Sequence, residues 1–403
     1  MRHPVQSLGF SGILTLMLLG MMGCEQPIEN VWQYQSFSAS HSSPALAGDL
    51  IVFGTKSGEV HAVTKSGSYR WKFATRKEVI SAPGVYNDMI FFGSTNHNFY
   101  AVDTVGKPIW KFKTQSRIKG DPLIVGDLVI FGSYDKHLYA VKPVEKTVVW
   151  QFPAAEPVAP ATPAPEGEEA AAAPEGEEKQ AAPAIDKSNW PKDAFAYAKP
   201  TIIGDSIVTG NLDGHLYCVE TKTGTLKWRW ASEGAKEGKG ITSTVLEKDG
   251  ILYFGANDGN LYALKAADQS VVWKLKTENE INSSPIMDNE GTIYIGGTDN
   301  KFYAVDSKTG KVKWTFPTLG PVRSIPALYK NLVLFGAGEG DGHVYAIDKN
   351  TGKEFWKFKT GPKSDPNWPG GIDADPLVDG NRFYIASGDR NLYAFQINKT
   401  TSD

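Results

Sequence analysis

Short apolar runs separated by glycine- and aspartate-rich turns fill most of this 403-residue chain. Residues 284–314 show the pattern well, with β-branched and aromatic runs at 293–295 and 302–305, which are typical of strands. Gly, Asp and Asn tolerate positive φ, so they favour turns between the runs. The two turn segments are residues 296–300 and 306–310. Trp314 then opens a fourth run at 313–316, so this segment predicts a four-stranded antiparallel sheet.

Three landmarks of this unit recur in phase along the chain. The repeated tryptophans are Trp71, Trp110, Trp150, Trp228, Trp273, Trp314 and Trp356, at spacings of 39, 40, 78, 45, 41 and 42 residues. The repeated aromatics of the third strand are Tyr100, Tyr139, Tyr217, Tyr262, Tyr303, Tyr345 and Tyr393, with His61 in the first unit. The prolines that open the units are Pro44, Pro83, Pro122, Pro200, Pro285, Pro326 and Pro376, with Thr244 in the fifth unit. A period near 40 with four short strands per unit predicts a β-propeller.

The two ends of the repeat region complement each other. The last unit, residues 375–395, supplies three strands and ends without its tryptophan. The segment 31–35 precedes the first unit and reads as an isolated fourth strand that contains Trp32. Pairing these fragments would remove open strand edges. We therefore predict an all-β fold, an eight-bladed propeller over residues 31–397 that the N-terminal strand closes.

The N-terminus has the pattern of a secretory signal. Arg2 and His3 precede an apolar run at residues 8–22, which is short for a membrane span. Gly23-Cys24 follows and resembles the bacterial lipoprotein processing site. We expect lipidation at Cys24, with an ordinary signal peptide or an uncleaved anchor as the alternatives.

This reading divides the start of the chain into a signal peptide at residues 1–23 and a tether at residues 24–30. Several acyl chains on one cysteine would anchor the protein stably. Glu25 stands where an aspartate would resemble an inner-membrane retention signal. We therefore expect a lipid-anchored protein at the periplasmic face of the outer membrane.

One segment interrupts the period. Residues 153–185 lie between the fourth strand of the third blade and the first strand of the fourth, and they hold seven Glu and one Lys. The segment has almost no large apolar residues, so we expect it to be disordered. A domain boundary is the alternative, but the repeat resumes in phase at Pro200. The insertion carries about −6 of a formal net charge of −3, so the rest of the chain is about +3.

Composition gives no sign of nucleic-acid binding or of catalysis. The cysteines are Cys24 and Cys218, and the seven histidines are scattered, without the spacing of a catalytic triad or a zinc site. Asp365, Asp373 and Asp375 are candidates for a metal site, because hard cations prefer clustered carboxylates, but they also read as turn residues. We predict no catalytic, cofactor-binding or metal-binding residues.

Several blocks resemble the pyrroloquinoline-quinone (PQQ) repeat, among them DNKFYAVDSKTGKVKW and DGHVYAIDKNTGKEFW. The Thr-Gly pairs at 223–224, 309–310 and 351–352 match its turn, whereas blades 1, 2, 3 and 5 are degenerate. The resemblance implies that the repeat tryptophans are structural and lie between blades. This set is Trp32, Trp71, Trp110, Trp150, Trp228, Trp273, Trp314 and Trp356.

Two functional classes share this repeat. Quinoprotein dehydrogenases are longer and carry a vicinal cysteine pair, a calcium site and a catalytic aspartate, and this chain has no Cys-Cys. The periplasmic lipoprotein scaffolds of outer-membrane β-barrel assembly are similar in size, lipoprotein start and blade number. That resemblance implies a non-catalytic, monomeric propeller that docks on a protein partner at the membrane. A quinone-dependent or other enzyme and a ligand-binding or sensor propeller are the alternatives.

One face of the ring is the candidate for docking. Connections from the fourth strand of one blade to the first strand of the next emerge together around the channel mouth. Two of them contain Asn-Trp-Pro, at Trp190 and Trp368, and neither tryptophan is in phase with the repeat. The basic residues of these connections are Arg76, Lys77, Arg117, Lys119, Lys239 and Arg323. Exposed Trp and Arg often anchor interfaces, and basic groups favour an acidic partner. The alternative is that the tryptophans are loop plugs and the cations are solvated.

Overall fold

The computed structural model describes residues 26–154, 189–361 and 370–401. Cys24, Asp365, Trp368 and most of the acidic insertion lie outside the described residues. The described part forms eight four-stranded antiparallel sheets arranged as an eight-bladed propeller, which confirms the predicted fold class. One short 3-10 turn, Glu233–Glu237, lies between blades 4 and 5.

The strands follow one another in the same order in every blade, from the axis outward. Blade 1 has β2 (Ala45–Ala47), β3 (Leu50–Gly54), β4 (Glu59–Thr64) and β5 (Tyr69–Ala74), and blade 2 has β6 (Gly84–Tyr86), β7 (Met89–Gly93), β8 (Asn98–Asp103) and β9 (Pro108–Lys113). Blade 3 has β10 (Leu123–Val125), β11 (Leu128–Gly132), β12 (Leu138–Lys142) and β13 (Thr147–Phe152), and blade 4 has β14 (Thr201–Ile203), β15 (Ser206–Gly210), β16 (His215–Glu220) and β17 (Leu226–Ala231).

The second half of the ring repeats this arrangement. Blade 5 has β18 (Leu246–Lys248), β19 (Ile251–Gly255), β20 (Asn260–Lys265) and β21 (Val271–Lys276), and blade 6 has β22 (Ile286–Met287), β23 (Thr292–Gly296), β24 (Lys301–Asp306) and β25 (Val312–Pro317). Blade 7 has β26 (Ala327–Tyr329), β27 (Leu332–Gly336), β28 (His343–Asp348) and β29 (Glu354–Lys359), and blade 8 has β30 (Leu377–Asp379), β31 (Arg382–Ala386), β32 (Asn391–Ile397) and the N-terminal β1 (Ile28–Gln35).

The second and third strands of each blade are apolar on both faces, because both faces pack against neighbouring blades. Every residue of β11, β15 and β27 is buried, whereas the outer strand β21 alternates between exposed and half-buried positions. The core is therefore a series of layers between blades and not one central cluster.

Most of the repeat tryptophans bridge neighbouring blades. Trp150 donates from Nε1 to the Thr221 carbonyl at 2.8 Å and packs on Gly224, where an added Cβ would lie 2.7 Å from the indole. The equivalent donor–acceptor pairs are Trp32–Lys65, Trp71–Thr104, Trp110–Pro143, Trp273–Ser307 and Trp314–Lys349. Trp228 and Trp356 are half-buried between blades by apolar and aromatic contacts.

The N-terminal strand closes the ring. β1 pairs antiparallel with β32, from Ile28 opposite Ile397 to Gln35 opposite Asn391, with a register shift between Asn30 and Trp32. The strand begins three residues before the expected boundary at residue 31, because Ile28 is buried in the core. The last three residues of the expected 24–30 tether therefore belong to blade 8.

The strand order fixes the two faces of the ring. The chain passes from the fourth strand of each blade to the first strand of the next on the same side of the ring, which we call the mouth face. The turns between second and third strands emerge on the same face, and the other two turns of each blade form the rear face. No helix in the described part of the chain is long and apolar enough to cross a membrane.

Candidate partner-binding face

The mouth of the axial channel is lined by one residue from each blade connection. In every case it is the fourth residue before the first strand of the next blade. These residues are His41, Ile80, Lys119, Tyr197, Thr242, Asn282, Arg323 and Asp373. They surround a cavity of about 590 Å³. The repeat therefore places eight different side chains at one structural position around the axis.

Asp373 contacts two of these side chains. Its carboxylate lies 2.8 Å from His41 Nδ1 and 3.5 Å from Arg323 Nη1. Burial alone would raise the pKa of Asp373, but the hydrogen bond with His41 and the charge of Arg323 lower it below its usual value. Asp373 is therefore ionised at neutral pH and neutralises part of the positive charge of the mouth.

Two buried carboxylates, Asp121 and Asp375, lie two residues further along their connections than the residues that line the mouth. Asp121 accepts a hydrogen bond from the Ala82 backbone N–H, and Asp375 accepts one from the Ile325 N–H, each across a blade boundary at 2.6 Å. Burial raises the pKa of Asp121 to about 6 and that of Asp375 to about 7. Each of these two carboxylates therefore joins its own connection to a neighbouring connection through a backbone N–H donor.

The turns between second and third strands carry a repeated carboxylate clamp in blades 3 to 8. Asp341, for example, is fully buried and accepts hydrogen bonds from the Tyr345 hydroxyl at 3.0 Å and the Leu319 N–H at 2.7 Å. The other clamps are Asp135–Tyr139, Asp213–Tyr217, Asp258–Tyr262, Asp299–Tyr303 and Asp389–Tyr393. Each aspartate also accepts a backbone N–H from the preceding blade connection.

The sequence interpretation of these aspartates as turn residues missed this second role. The signal was present, because Asp precedes Tyr by four residues in six blades. In the first two blades, Ser57 and Asn96 stand at the aspartate position. Asn96 donates from Nδ2 to the Tyr100 hydroxyl and to the Thr75 carbonyl. In these two blades the contacts between the turn and the preceding connection, Ser57 N–H to Ser38 Oγ and Asn96 Nδ2 to the Thr75 carbonyl, are therefore neutral hydrogen bonds.

Five cations lie close together on the mouth face of blades 1 to 3, and we call them the basic sector: Lys56, Arg76, Lys77, Arg117 and Lys119. No carboxylate among the described residues lies within 4.0 Å of any of their charged nitrogens. Arg117 stacks over the Tyr134 ring with its Cζ 4.3 Å from the centroid. Lys119 lies 5.6 Å from Tyr134 and 5.5 Å from Tyr197, a range in which cation–π attraction operates.

Four cations of blades 5 to 7 on the same face are paired with carboxylates, and we call these four pairs the paired sector: Lys239–Glu237, Lys274–Glu233, Lys301–Glu278 and Arg323–Asp373. Of the six cations that the sequence predicts on the mouth face, the structure brings Arg76, Lys77, Arg117 and Lys119 together. Lys239 and Arg323 lie across the ring and have acidic partners.

The remaining predicted residues are placed differently. Trp190 is half-buried in the connection between blades 3 and 4, where it interacts with other residues of the protein. Cys218 is buried on β16, and burial raises the pKa of its thiol to about 11. Asp373 and Asp375 are held by the hydrogen bonds described above. The described residues contain no group of three or more His, Cys, Asp or Glu side chains that could hold a metal ion.

The repeat's name raises the question of whether PQQ fits the mouth. Calcium prefers six to eight oxygen ligands, with carboxylates among them. The mouth offers two carboxylates, Glu78 and Asp373, and Asp373 already contacts His41 and Arg323. The rest of the polar lining consists of two lysines, Lys56 and Lys119, and of neutral groups on Tyr197, Thr242, Asn257 and Asn282. This set of donors does not fit a calcium-bound quinone.

The architecture and repeat define an eight-bladed propeller of the PQQ-repeat class. A family model described as outer membrane protein assembly factor BamB matches residues 29–105, 87–183 and 212–401. The chain belongs to this family, as the sequence resemblance predicts. The sequence has no significant match among the curated proteins.

Solved structures agree on the fold. BamB from Moraxella catarrhalis is 17% identical with a TM-score of 0.68, and the match covers 92% of this chain and 99% of that one. A quinohemoprotein alcohol dehydrogenase from Comamonas testosteroni is 13% identical with a TM-score of 0.70, covering 93% and 77%. A europium-containing methanol dehydrogenase is 13% identical with a TM-score of 0.70, covering 92% and 93%. At these identities the likeness concerns the fold.

Proposed function

We propose that this protein is a non-catalytic scaffold in outer-membrane β-barrel assembly that docks on a protein partner through its mouth face. The observation that carries the proposal is the family match, which spans most of the ring. The match with Moraxella catarrhalis BamB covers 99% of that protein, so the two chains share the ring over nearly the whole of it. The mouth face is favoured because it presents Arg76, Arg117 and aromatic side chains at the surface, which are common anchors of interfaces.

The anchoring of the ring belongs to the same proposal. Lipidation of Cys24 would tether blade 8, since β1 begins at Ile28, four residues after the cysteine. A ring held this closely would work at the periplasmic surface of the outer membrane. Cys24→Ser should release the protein from membranes, and fractionation with mass spectrometry of the N-terminus measures this.

Deletion and complementation in the organism that encodes the chain test the function. Loss of the protein should lower the amounts of outer-membrane β-barrel proteins, and the wild-type chain should restore them. Arg117→Glu should restore them poorly, whereas Lys301→Glu is a matched control at a cation that is already paired. Normal barrel levels in the deletion strain would contradict the assembly role.

A quinone-dependent enzyme is the second candidate, because dehydrogenases are structural neighbours at similar TM-scores. The test is a titration of the purified protein with PQQ and calcium, followed by absorbance and by dye reduction with alcohols. We expect no saturable binding and no reduction. Saturable binding with alcohol-dependent dye reduction would favour the enzyme.

A further inference from the structure

Two adjoining hollows form a groove across the basic sector. The larger, of about 840 Å³, lies over blades 1 to 3 between Lys56, Lys77 and Arg117. The smaller, of about 310 Å³, lies beside Phe37. Arg76 and Ser57 line both hollows, so the groove is continuous from the junction of blades 8 and 1 to blade 3.

The charges of the groove are unbalanced. It contains two carboxylates, and Glu59 is already paired with Lys72 at 2.7 Å. Glu78 lines the larger hollow but lies beyond 4.0 Å from the charged nitrogens of the five cations. Like charges held together repel each other and favour an anion between them. The stack of Arg117 on Tyr134 fixes one guanidinium at the groove wall, so less ordering is needed when an anion binds.

One end of the groove is apolar. Phe37 is 77% exposed and has a left-handed backbone with φ of 62°, which is uncommon for an aromatic residue. Ser36 holds this conformation through hydrogen bonds from its N–H and its hydroxyl to the Arg390 carbonyl. The Ser57 N–H donates to Ser38 Oγ on the other side of Phe37. The ring is therefore held out of the core, beside the cations.

We propose that this groove binds an extended acidic segment of a partner protein, with an apolar side chain of that segment against Phe37. The inference rests on the proposed scaffold function and adds the chemistry of the partner. Carboxylates of the segment would pair with Arg76 and Arg117. A polypeptide is favoured over a lipid headgroup because the groove combines a row of cations with an adjacent aromatic contact.

The test uses the full-length protein in detergent and a fluorescein-labelled peptide of about 12 residues, rich in Glu with one central Phe. The control peptide has Gln in place of every Glu. Fluorescence anisotropy should show saturable binding of the acidic peptide that weakens with added salt, and none of the control peptide. Absence of binding at low salt would overturn the proposal, whereas the scaffold function is judged separately by complementation.

Variants locate the site. Arg76→Glu and Arg117→Glu should each weaken binding at least about tenfold, because each reverses a charge at the groove. Lys274→Glu and Lys301→Glu, on the same face, should change affinity by less than about twofold. Phe37→Gly suits the left-handed backbone and should weaken binding of the Phe peptide but not of a Phe→Ala peptide. Equal effects in both sectors would overturn the assignment.

Two further experiments test whether a lipid surface or the chain's own acidic segment occupies the groove instead. Phosphatidylglycerol vesicles that displace the peptide, with the same dependence on Arg76 and Arg117, would identify a lipid surface instead. Changing the seven glutamates of residues 153–185 to Gln should leave peptide affinity unchanged. An increase of about tenfold or more would identify the chain's own acidic segment as the occupant and overturn the proposal.

Discussion

The basic sector and the paired sector lie on the same face of the same ring, yet they are built differently. In the paired sector, buried aspartates hold the blade connections and the surface cations have carboxylate partners. In blades 1 and 2, Ser57 and Asn96 replace the clamp aspartates. The cations Arg76, Lys77 and Arg117 lie near these departures without ion-pair partners among the described residues.

This difference distinguishes the clamps, which stabilise the fold, from the unpaired cations, which the fold does not require. A clamp that joins a turn, a tyrosine and the preceding connection stabilises a blade boundary, and six blades have it. A cluster of unpaired cations does not stabilise a ring, because exposed like charges repel each other. Its position where the repeat is most altered supports a role in binding.

The largest effect expected is on the clamp itself. Asp341→Ala would leave the Leu319 N–H and the Tyr345 hydroxyl without their buried charged acceptor, at a cost of about 3 kcal/mol. Ser57→Ala, at the equivalent position of blade 1, should cost less than about 1 kcal/mol because the serine is exposed. Denaturant unfolding of both variants measures the difference. Equal losses would show that the two sectors are held alike.

A second prediction compares two carboxylates at one structural position, Asp121 of blade 3 and Asp375 of blade 8. Their folded pKa values, about 6 and about 7, exceed the ordinary value of 3.8. The folded state therefore binds protons more tightly, and its stability falls as the pH rises from about 4 to about 7. Asp375→Asn keeps an acceptor for the Ile325 N–H and should stabilise the ring at pH 8, on the order of 2 kcal/mol.

Asp121→Asn should give a smaller gain, since its pKa is raised less. Thermal unfolding at pH 4 and at pH 8 is the measurement, and the wild type should lose more stability between them than either variant. An equal pH dependence in all three proteins would contradict the assignment of these two groups.

The smallest effect is expected from building a clamp into the basic sector. Asn96→Asp would add a carboxylate beside the cations. The new carboxylate would face the Thr75 carbonyl, to which the Asn96 amide now donates a hydrogen bond. Acidic-peptide affinity should fall about threefold, with a small loss of stability. Anisotropy titration and thermal unfolding measure both. Tighter peptide binding would contradict the electrostatic account of this sector.

The ring could be predicted from the sequence because its landmarks are periodic. Trp, Tyr and Pro recur with the blade, and the unmatched strand around Trp32 indicated the closure. Four of the five residues of the basic sector were also recognised, because each lies shortly before its blade opens. Lys56 was missed, because it lies in the turn between the second and third strands of blade 1. Which cations are paired could not be predicted, because pairing depends on side chains from neighbouring connections, such as Glu233 with Lys274.

Phe37 and Tyr134 were missed for a related reason. Phe37 is a single aromatic in a serine-rich segment, and Tyr134 is out of phase with the repeat. Neither position has a pattern that distinguishes it from an ordinary loop residue. Their meaning comes from the neighbours that the ring brings together, Arg76 beside Phe37 and Arg117 over Tyr134.

Site-specific photocrosslinking in native membranes tests the docking of the mouth face most directly. A photoreactive residue is placed at Thr95 in the basic sector, at Thr298 in the paired sector, or at the exposed Val144 on the rear face. Thr95 should crosslink to a protein of outer-membrane β-barrel assembly, identified by mass spectrometry, and Arg117→Glu should abolish that crosslink. Crosslinking to such a protein from Val144 alone would contradict the account and assign docking to the rear face.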